Sequence, residues 1–282
     1  MDSIKITIYV AAFNAEKTIV ECINSIKDQT IKFDEIIIID DKSTDDTVEH
    51  LKKFNDIKLI QNSLNKGLGY NRNLAFRNST NDIVASIDAD VVLNNNWLEI
   101  MLKIINKNDH IICGGNMMEK YIENKFNRWR AKYYSQNWGQ NNINNPPFLF
   151  GCNTIQSKKI WKEVGGYNEK LLTNGEDIDY SIRIKNFSKF KSFYCADAIC
   201  YHLQQDNLDS LSKRVWRYHS FGYKIKDITF LRFIKLSIKQ IKFFLNRTIK
   251  DLIKFRFNDI YINLIVLVKF ITLEFKNYLK ND

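Results

Sequence analysis

The first third of the chain alternates two hydrophobic rhythms. Apolar runs rich in Ile and Val occupy residues 4–11, 35–40, 57–61 and 83–87. They are too short for core helices, and the unbroken ones read as strands buried on both faces. Between them the apolar positions recur at three- and four-residue spacing. Residues 15–27 place Ile19, Ile23 and Ile26 on one face, and residues 67–77 and 96–105 continue the helical pattern. Ser43 or Thr44 is the expected cap of a further helix, with Asp45 and Asp46 in its first turn. A strand begins again at 111–113. This β-α-β order predicts a parallel sheet with right-handed crossovers.

The rhythm then changes. Residues 122–145 carry Trp129, Tyr133, Tyr134, Trp138 and an Asn-rich stretch at 141–145, followed by the only prolines, Pro146 and Pro147. This reads as a loop or helix–loop over the sheet suited to acceptor binding, or as an aromatic patch packed on the core. Residues 148–155 look like a strand, and 158–164 like a short helix ended by Gly165-Gly166. Beyond residue 207 the pattern is helical to the end. Ile228, Leu231, Ile234, Ile238, Ile241, Leu245, Ile249, Leu252 and Phe255 form one stripe, with Lys and Arg between them. That is a basic amphipathic helix. The segment 260–273 is more apolar, but Asn263 and Lys269 interrupt it, and it is too short to span a bilayer unaided.

Composition narrows the class. The 282 residues are 45% hydrophobic and 13% aromatic, enough for one large α/β domain with an appendage, and inconsistent with disorder. The opening Met1-Asp2-Ser3-Ile4-Lys5 lacks the basic and apolar regions of a signal peptide. Five cysteines, none in a CxxC pair, fit buried thiols in a reducing cytoplasm better than a zinc site. The net charge of +10 is lopsided: residues 224–282 hold 13 Lys/Arg against 5 Asp/Glu, and the preceding 223 hold 29 against 27. A basic tail on a nearly neutral body argues against a nucleic-acid enzyme and for a tail that meets something anionic.

The candidate chemistry lies at the ends of two strands. Residues 35–41 end in Asp40-Asp41, and residues 83–90 end in Asp88-Ala89-Asp90. Open α/β sheets bind ligands outside the carboxyl ends of their strands. An Asp-x-Asp there can hold a divalent cation, and the cation a diphosphate.

Five motifs follow one another in order: Val10-Ala11-Ala12-Phe13-Asn14; Ile39-Asp40-Asp41-Lys42-Ser43-Thr44-Asp45; Asn65-Lys66-Gly67 with Arg72-Asn73; Asp88-Ala89-Asp90; and Gly175-Glu176-Asp177-Ile178-Asp179-Tyr180-Ser181-Ile182-Arg183. Together they resemble the inverting family 2 glycosyltransferases, over residues 4–205. The resemblance implies a GT-A fold: α/β, a Rossmann-like, mostly parallel sheet flanked by helices, here with a C-terminal helical appendage. It divides the chain into a nucleotide-sugar-binding half at 1–115, an acceptor-binding half with the catalytic base at 116–222, and the basic helical tail at 223–282.

The resemblance also implies roles. Asp41 would accept the hydrogen bond of the base, or it could cap the helix near Ser43. Ala11 and Phe13 would touch base and ribose, although Phe13 could equally be a core aromatic. Lys66 would reach the diphosphate, or be a solvated loop lysine, and Arg72-Asn73 would steady the site. Asp88 and Ala89 would face the donor, and Asp90, with Asp88, would ligate Mn²⁺ or Mg²⁺. Asp177 would be the catalytic base, with Glu176 beside it sharing the role or binding acceptor; both could instead serve the helix macrodipole. His202 would be a further metal or diphosphate ligand, or a structural histidine. Residues Trp216, Arg217, Tyr218 and His219 could close as a lid. The usual hydroxyl or proline is replaced by Ala11-Ala12, which leaves backbone contacts to the base there.

The expected protein is a metal-dependent hexosyl- or N-acetylhexosaminyltransferase. It would take a nucleotide-sugar, a UDP-sugar first, and build surface polysaccharide or glycoprotein glycan on an acceptor expected to be lipid-linked. It would sit in the cytoplasm at the inner membrane face, its tail on anionic lipid or, alternatively, in a homodimer or against the catalytic domain. Rivals are a transferase acting on a protein or soluble acceptor, a sugar-nucleotide nucleotidyltransferase, and a binding protein without catalysis. The nucleotidyltransferase would want a Gly-rich loop after the first strand, and residues 11–17 have no glycine.

Overall fold

The structure is a computed structural model, and it describes residues 4–105, 110–220 and 229–279. Ile228 and the expected segment boundary at 222/223 lie outside the described residues. The chain forms two compact units. One comprises residues 1–120 and 135–204, the other 121–134 and 205–282.

The first unit is built on the predicted alternation. Its strands are β1 (Ile6–Ala12), β2 (Glu35–Asp40), β3 (Lys58–Gln61), β4 (Ile83–Asp88), β5 (Val91–Leu93), β6 (Ile111–Glu119), β7 (Ile143–Asn144), β8 (Asn153–Ser157) and β9 (Lys191–His202). They make one sheet in the order β3-β2-β1-β4-β8-β6-β9-β5, with β7 on β9. Its β3-β2-β1-β4 half is parallel. β8 and β5 run antiparallel to their neighbours, and β6 is parallel to β9. The sheet is therefore mostly parallel, as the GT-A resemblance implies.

Helices α1 (Ile19–Lys27), α2 (Thr47–Leu51), α3 (Leu68–Asn78), α4 (Trp97–Ile105), α6 (Lys158–Val164) and α7 (Glu176–Lys185) flank this sheet, and α5 (Lys125–Tyr133) belongs to the second unit. Two apolar clusters hold the sheet. Ile8, Val10, Ile19, Ile23, Ile87 and Trp97 lie in one, and Tyr9, Ile37, Ile39, Phe76, Tyr167 and Tyr180 in the other. Adjacent residues Ile8 and Tyr9 fall in different clusters because successive side chains of a strand point to opposite faces. This is why β1, interrupted only by Thr7, and residues 36–39 of β2 are apolar on both faces.

Two local expectations were wrong. Ser43 and Thr44 do not cap α2, which starts at Thr47 after Asp46. The Ser43 hydroxyl instead accepts from the Asn14 amide, and the Thr44 amide donates to the Asn14 side chain, so both tie the loop after β1 to the loop after β2. Residues 148–152 are not strand, and pairing starts at Asn153. Phe148 and Phe150 stack edge-on at 4.8 Å and enclose Trp138. Aromatic packing there overrides the apolar run.

The second unit joins α5 to α8 (Leu208–Ser220), α9 (Phe230–Ile253) and α10 (Phe257–Leu279). Its core is Trp129, Leu211, Val215, Phe244, Ile262, Val266 and Phe270. Polar groups run through it. Asp251 receives hydrogen bonds from Lys132, Tyr133 and Asn263, and buried Asp206 pairs with Arg130 and Arg214. Trp216 and Ser220 both donate to Glu274. Among the described residues no helix is long and apolar enough to cross a membrane.

Candidate active site

The register of the sheet assembles the site. Ala11 on β1 lies opposite both Ile39 and Asp88, and Ala12 opposite Asp40, so the ends of β1, β2 and β4 form one rim. Phe13, just past β1, is 51% exposed, which excludes the core reading and leaves its ring face open. Ala89 is buried.

Asp41 is buried and organises the loop that follows β3. Its Oδ1 accepts from Asn62 Nδ2 and the Lys66 amide, both at 2.8 Å, and its Oδ2 accepts from the Gly67 amide at 2.8 Å. Gly67 has φ +84°, and a Cβ there would lie 2.6 Å from the Leu172 carbonyl oxygen, so both backbone and space require glycine. The Lys66 ammonium is exposed and lies 5.9 Å from the Tyr70 ring centre.

Arg72 is the hub of the site. Its guanidinium is buried on α3, where a surface position would be expected for arginine. Nη1 donates to the Ser86 hydroxyl and the Gly151 carbonyl, both at 2.7 Å. Nη2 reaches Asp88 Oδ1 at 3.1 Å, and Nε reaches Glu176 Oε1 at 3.2 Å. One side chain thus ties β4, the loop before β8 and the start of α7. Asn73 beside it holds Glu169 and the Tyr167 carbonyl, each at 2.8 Å.

Gly175, at φ +89°, turns the chain into α7 and delivers Glu176 and Asp177 at its first turn. The two diverge. Glu176 is buried, and its Oε2 makes no hydrogen bond within the described residues. Burial and the Asp177 carboxylate push its acid up to about 7, against the pull of Arg72. Asp177 is partly exposed and accepts from the Gly151 amide through Oδ2 and from the Ile178 amide through Oδ1. Asp179 points away and pairs with Arg183 at 2.7 Å.

His202, at the end of β9, stands between two carboxylates. Its Nε2 lies 3.1 Å from Asp90 Oδ2 and its Nδ1 3.2 Å from Glu119 Oε2. Burial alone would lower its basicity, but Asp90 and Glu119 outweigh it and raise the imidazolium to about 9. Asp88 is raised by burial and by the neighbouring Asp90 and Asp177, although Arg72 opposes this. The sequence reading did not find Glu119, which ends β6 six residues past the stretch recognised as strand.

The donor set suits a hard divalent cation. Carboxylate-rich, it carries more negative than positive groups, and Glu119 orients the Asp90–His202 pair as an outer carboxylate orients a ligating imidazole. Among the described residues no three His, Cys, Asp or Glu side chains form a metal cage by themselves. Ions that bridge phosphates use few protein ligands and take the rest from phosphate and water. Of the expected lid residues, Trp216 holds Glu274 and His219 lies 2.9 Å from the Tyr134 hydroxyl, so both are engaged within the second unit.

The model of the family described as Glycosyl transferase family 2 matches residues 7–165. The chain belongs to glycosyl transferase family 2. An uncharacterized glycosyltransferase of Haemophilus influenzae is 30% identical over 67% of this chain and 61% of its own length. The Escherichia coli protein named UDP-Glc:alpha-D-GlcNAc-diphosphoundecaprenol beta-1,3-glucosyltransferase WfgD is 33% identical over 41% of this chain and 47% of its own. The matches thus span less than two thirds of these relatives. Among solved structures, S. aureus TarS 1-349 in complex with UDP-GlcNAc is 20% identical, with a TM-score of 0.59 over 76% of this chain and 65% of that one. The mannosyltransferase PcManGT of Pyrobaculum calidifontis, in complex with GDP-Man and Mn²⁺, is 18% identical, with a TM-score of 0.58 over 76% and 61%. These two likenesses show the fold.

Proposed function

We propose that the protein is an inverting glycosyltransferase that moves a sugar from a UDP-sugar to a glycan hydroxyl. The observation that carries this is the constellation around Arg72: one buried guanidinium braces the Asp-x-Asp at the end of β4 and the Glu176-Asp177 pair at the start of α7. Binding of the base falls to the rim of β1 and β2. Ala11 supplies backbone, Phe13 a stacking face, and Asp41 Oδ2, which among the described residues accepts only the Gly67 amide, keeps a lone pair for a base N–H. Lys66 reaches toward the diphosphate.

Mn²⁺ or Mg²⁺ would be held by Asp90, with Asp88 beside it, and by His202 once the cation displaces the Nε2 proton that now faces Asp90. It would neutralise charge on the departing nucleoside diphosphate. Asp177 takes the proton of the acceptor hydroxyl; its two backbone amide bonds fix the carboxylate in place. Glu176, buried on Arg72, positions it. The acceptor is lipid-linked, in surface polysaccharide or glycoprotein-glycan assembly. This reading is supported by the name of the E. coli relative and by the basic, amphipathic tail. The protein would work on the cytoplasmic face of the membrane.

The test is a panel of nucleotide sugars with Mn²⁺ or Mg²⁺, read by binding and by slow hydrolysis without acceptor. A UDP-sugar should bind and be hydrolysed. Failure of every nucleotide sugar to bind would overturn the reading.

A further inference from the structure

Helix α9 is inverted with respect to a core helix. Its apolar stripe faces outward: Leu231, Ile238, Ile241, Leu245, Ile249 and Leu252 are 37–60% exposed. The positions it buries are Ser237, Gln240, Phe244 and Asp251, three of them polar. A contiguous apolar face of this kind on a helix that already belongs to a folded unit marks an interaction surface.

Charge identifies the partner. Exposed Lys235, Lys239, Lys242 and Lys250 flank the stripe, and the only acid on α9, Asp251, is buried and bonded to Lys132 and Asn263. At the start of the helix an open pocket of about 360 Å³ is lined by Arg232, Lys235 and Lys239, with His219 and Thr229. Among the described residues Arg232 Nη1 is buried without a hydrogen bond, its Nη2 donates to the Ser220 carbonyl, and neither Lys235 nor Lys239 has a carboxylate partner. Pairing two copies of α9 through this face would set lysines against lysines with no exposed carboxylate between them. A nucleic acid offers phosphates but nothing for an aliphatic stripe. An anionic bilayer offers both phosphate and acyl chain.

We propose that the outer face of α9 docks on an anionic lipid surface, with the apolar stripe at the acyl boundary and the Arg232–Lys235–Lys239 pocket seating a lipid phosphate. This deepens the reading of a lipid-linked acceptor and rests on it only for its purpose. The arrangement lays the helix along the interface, as a basic amphipathic helix lies, and does not require it to span.

The experiment uses the full chain and vesicles of phosphatidylcholine with or without phosphatidylglycerol, read by co-sedimentation. The wild type should bind the anionic vesicles and not the neutral ones. Raising salt from about 50 to about 500 mM should weaken binding without abolishing it, since salt screens the lysines and not the stripe. Leu245→Glu with Ile249→Glu, and separately Lys235→Glu with Lys239→Glu, should each lower binding by about tenfold or more. UDP affinity and the melting midpoint should hold in both.

Equal binding to neutral vesicles, or binding untouched by both double variants, would overturn the proposal. So would a wild-type dimer that Leu245→Glu/Ile249→Glu splits while anionic vesicles stay unbound; the face would then join two copies. Vesicle binding without any nucleotide-sugar binding would instead contradict the glycosyltransferase reading and leave the surface standing.

Discussion

Arg72 Nε donates to Glu176 Oε1 at 3.2 Å, and both side chains are almost wholly buried. An ion pair so enclosed matters less for net stability than for what its loss exposes: removing one partner strands the other in low dielectric, typically at a cost of about 3–5 kcal/mol. Arg72→Ala should therefore lower the melting midpoint sharply and release Asp88 and Glu176 together. Arg72→Lys should recover part of the stability, because an ammonium cannot replace a fork that serves Ser86, Gly151, Asp88 and Glu176 at once. Thermal unfolding of the two variants checks this, and equal midpoints for wild type and Arg72→Ala would contradict it.

Asp177 and Glu176 are neighbours with different tasks. Asp177→Asn should cut sugar transfer by roughly 10²–10⁴-fold with donor affinity nearly unchanged, the usual effect of losing a positioned base. Glu176→Gln should act through stability and its pH dependence. The Glu176 acid is raised to about 7 by burial and Asp177, so the folded state holds its proton where the unfolded state has lost it. That stabilisation is complete below about 4.5 and fades as pH rises through about 7. The melting midpoint of Glu176→Gln relative to wild type should therefore climb between those values. If Glu176→Gln abolishes transfer and Asp177→Asn does not, the base is Glu176.

His219 gives the second unit the opposite pH response. Burial first, then Arg247 and Lys239, push its imidazole down to about 4. Between about 6.5 and 4 the unfolded chain takes up a proton that the folded one refuses. Stability should fall as pH drops through that window, by on the order of 2–3 kcal/mol. The wild type should lose more stability than His219→Gln on acidification from pH 7 to pH 5. Parallel pH profiles would show that His219 is already charged in the folded protein.

What was legible in the sequence followed from periodicity. Runs rich in Ile, Val and Ala marked β1, β2 and β4, and Asp88-Ala89-Asp90 marked the carboxyl end of β4. The rest depended on contacts that no local pattern encodes. Glu119 joins His202 because β6 continues through Gly114-Gly115 to lie beside β9, and glycines are poor strand signals. Arg72 could be read as a helix residue near the site, but not as a buried hub, because its four partners come from β4, the loop before β8 and α7. The period of α9 was clear from its Ile and Leu spacing. Its inward face was not: Asp251 is held by Lys132, Tyr133 and Asn263, but among the described residues Ser237 Oγ and Gln240 Oε1 are buried without a hydrogen bond, in a helical unit whose core is carried by Trp129, Phe244 and Phe270.

The central claim is a metal-assisted nucleotide-sugar site at the ends of β1, β2 and β4, and titration calorimetry of UDP tests it most directly. Wild-type protein should bind UDP in Mn²⁺ and lose about tenfold or more in affinity in EDTA, because a cation held by Asp90 would offset the charge of the diphosphate. Asp90→Ala should bind UDP weakly and equally in both conditions. Equal UDP affinity of the wild type with Mn²⁺ and with EDTA, or unchanged metal dependence in Asp90→Ala, would contradict the account.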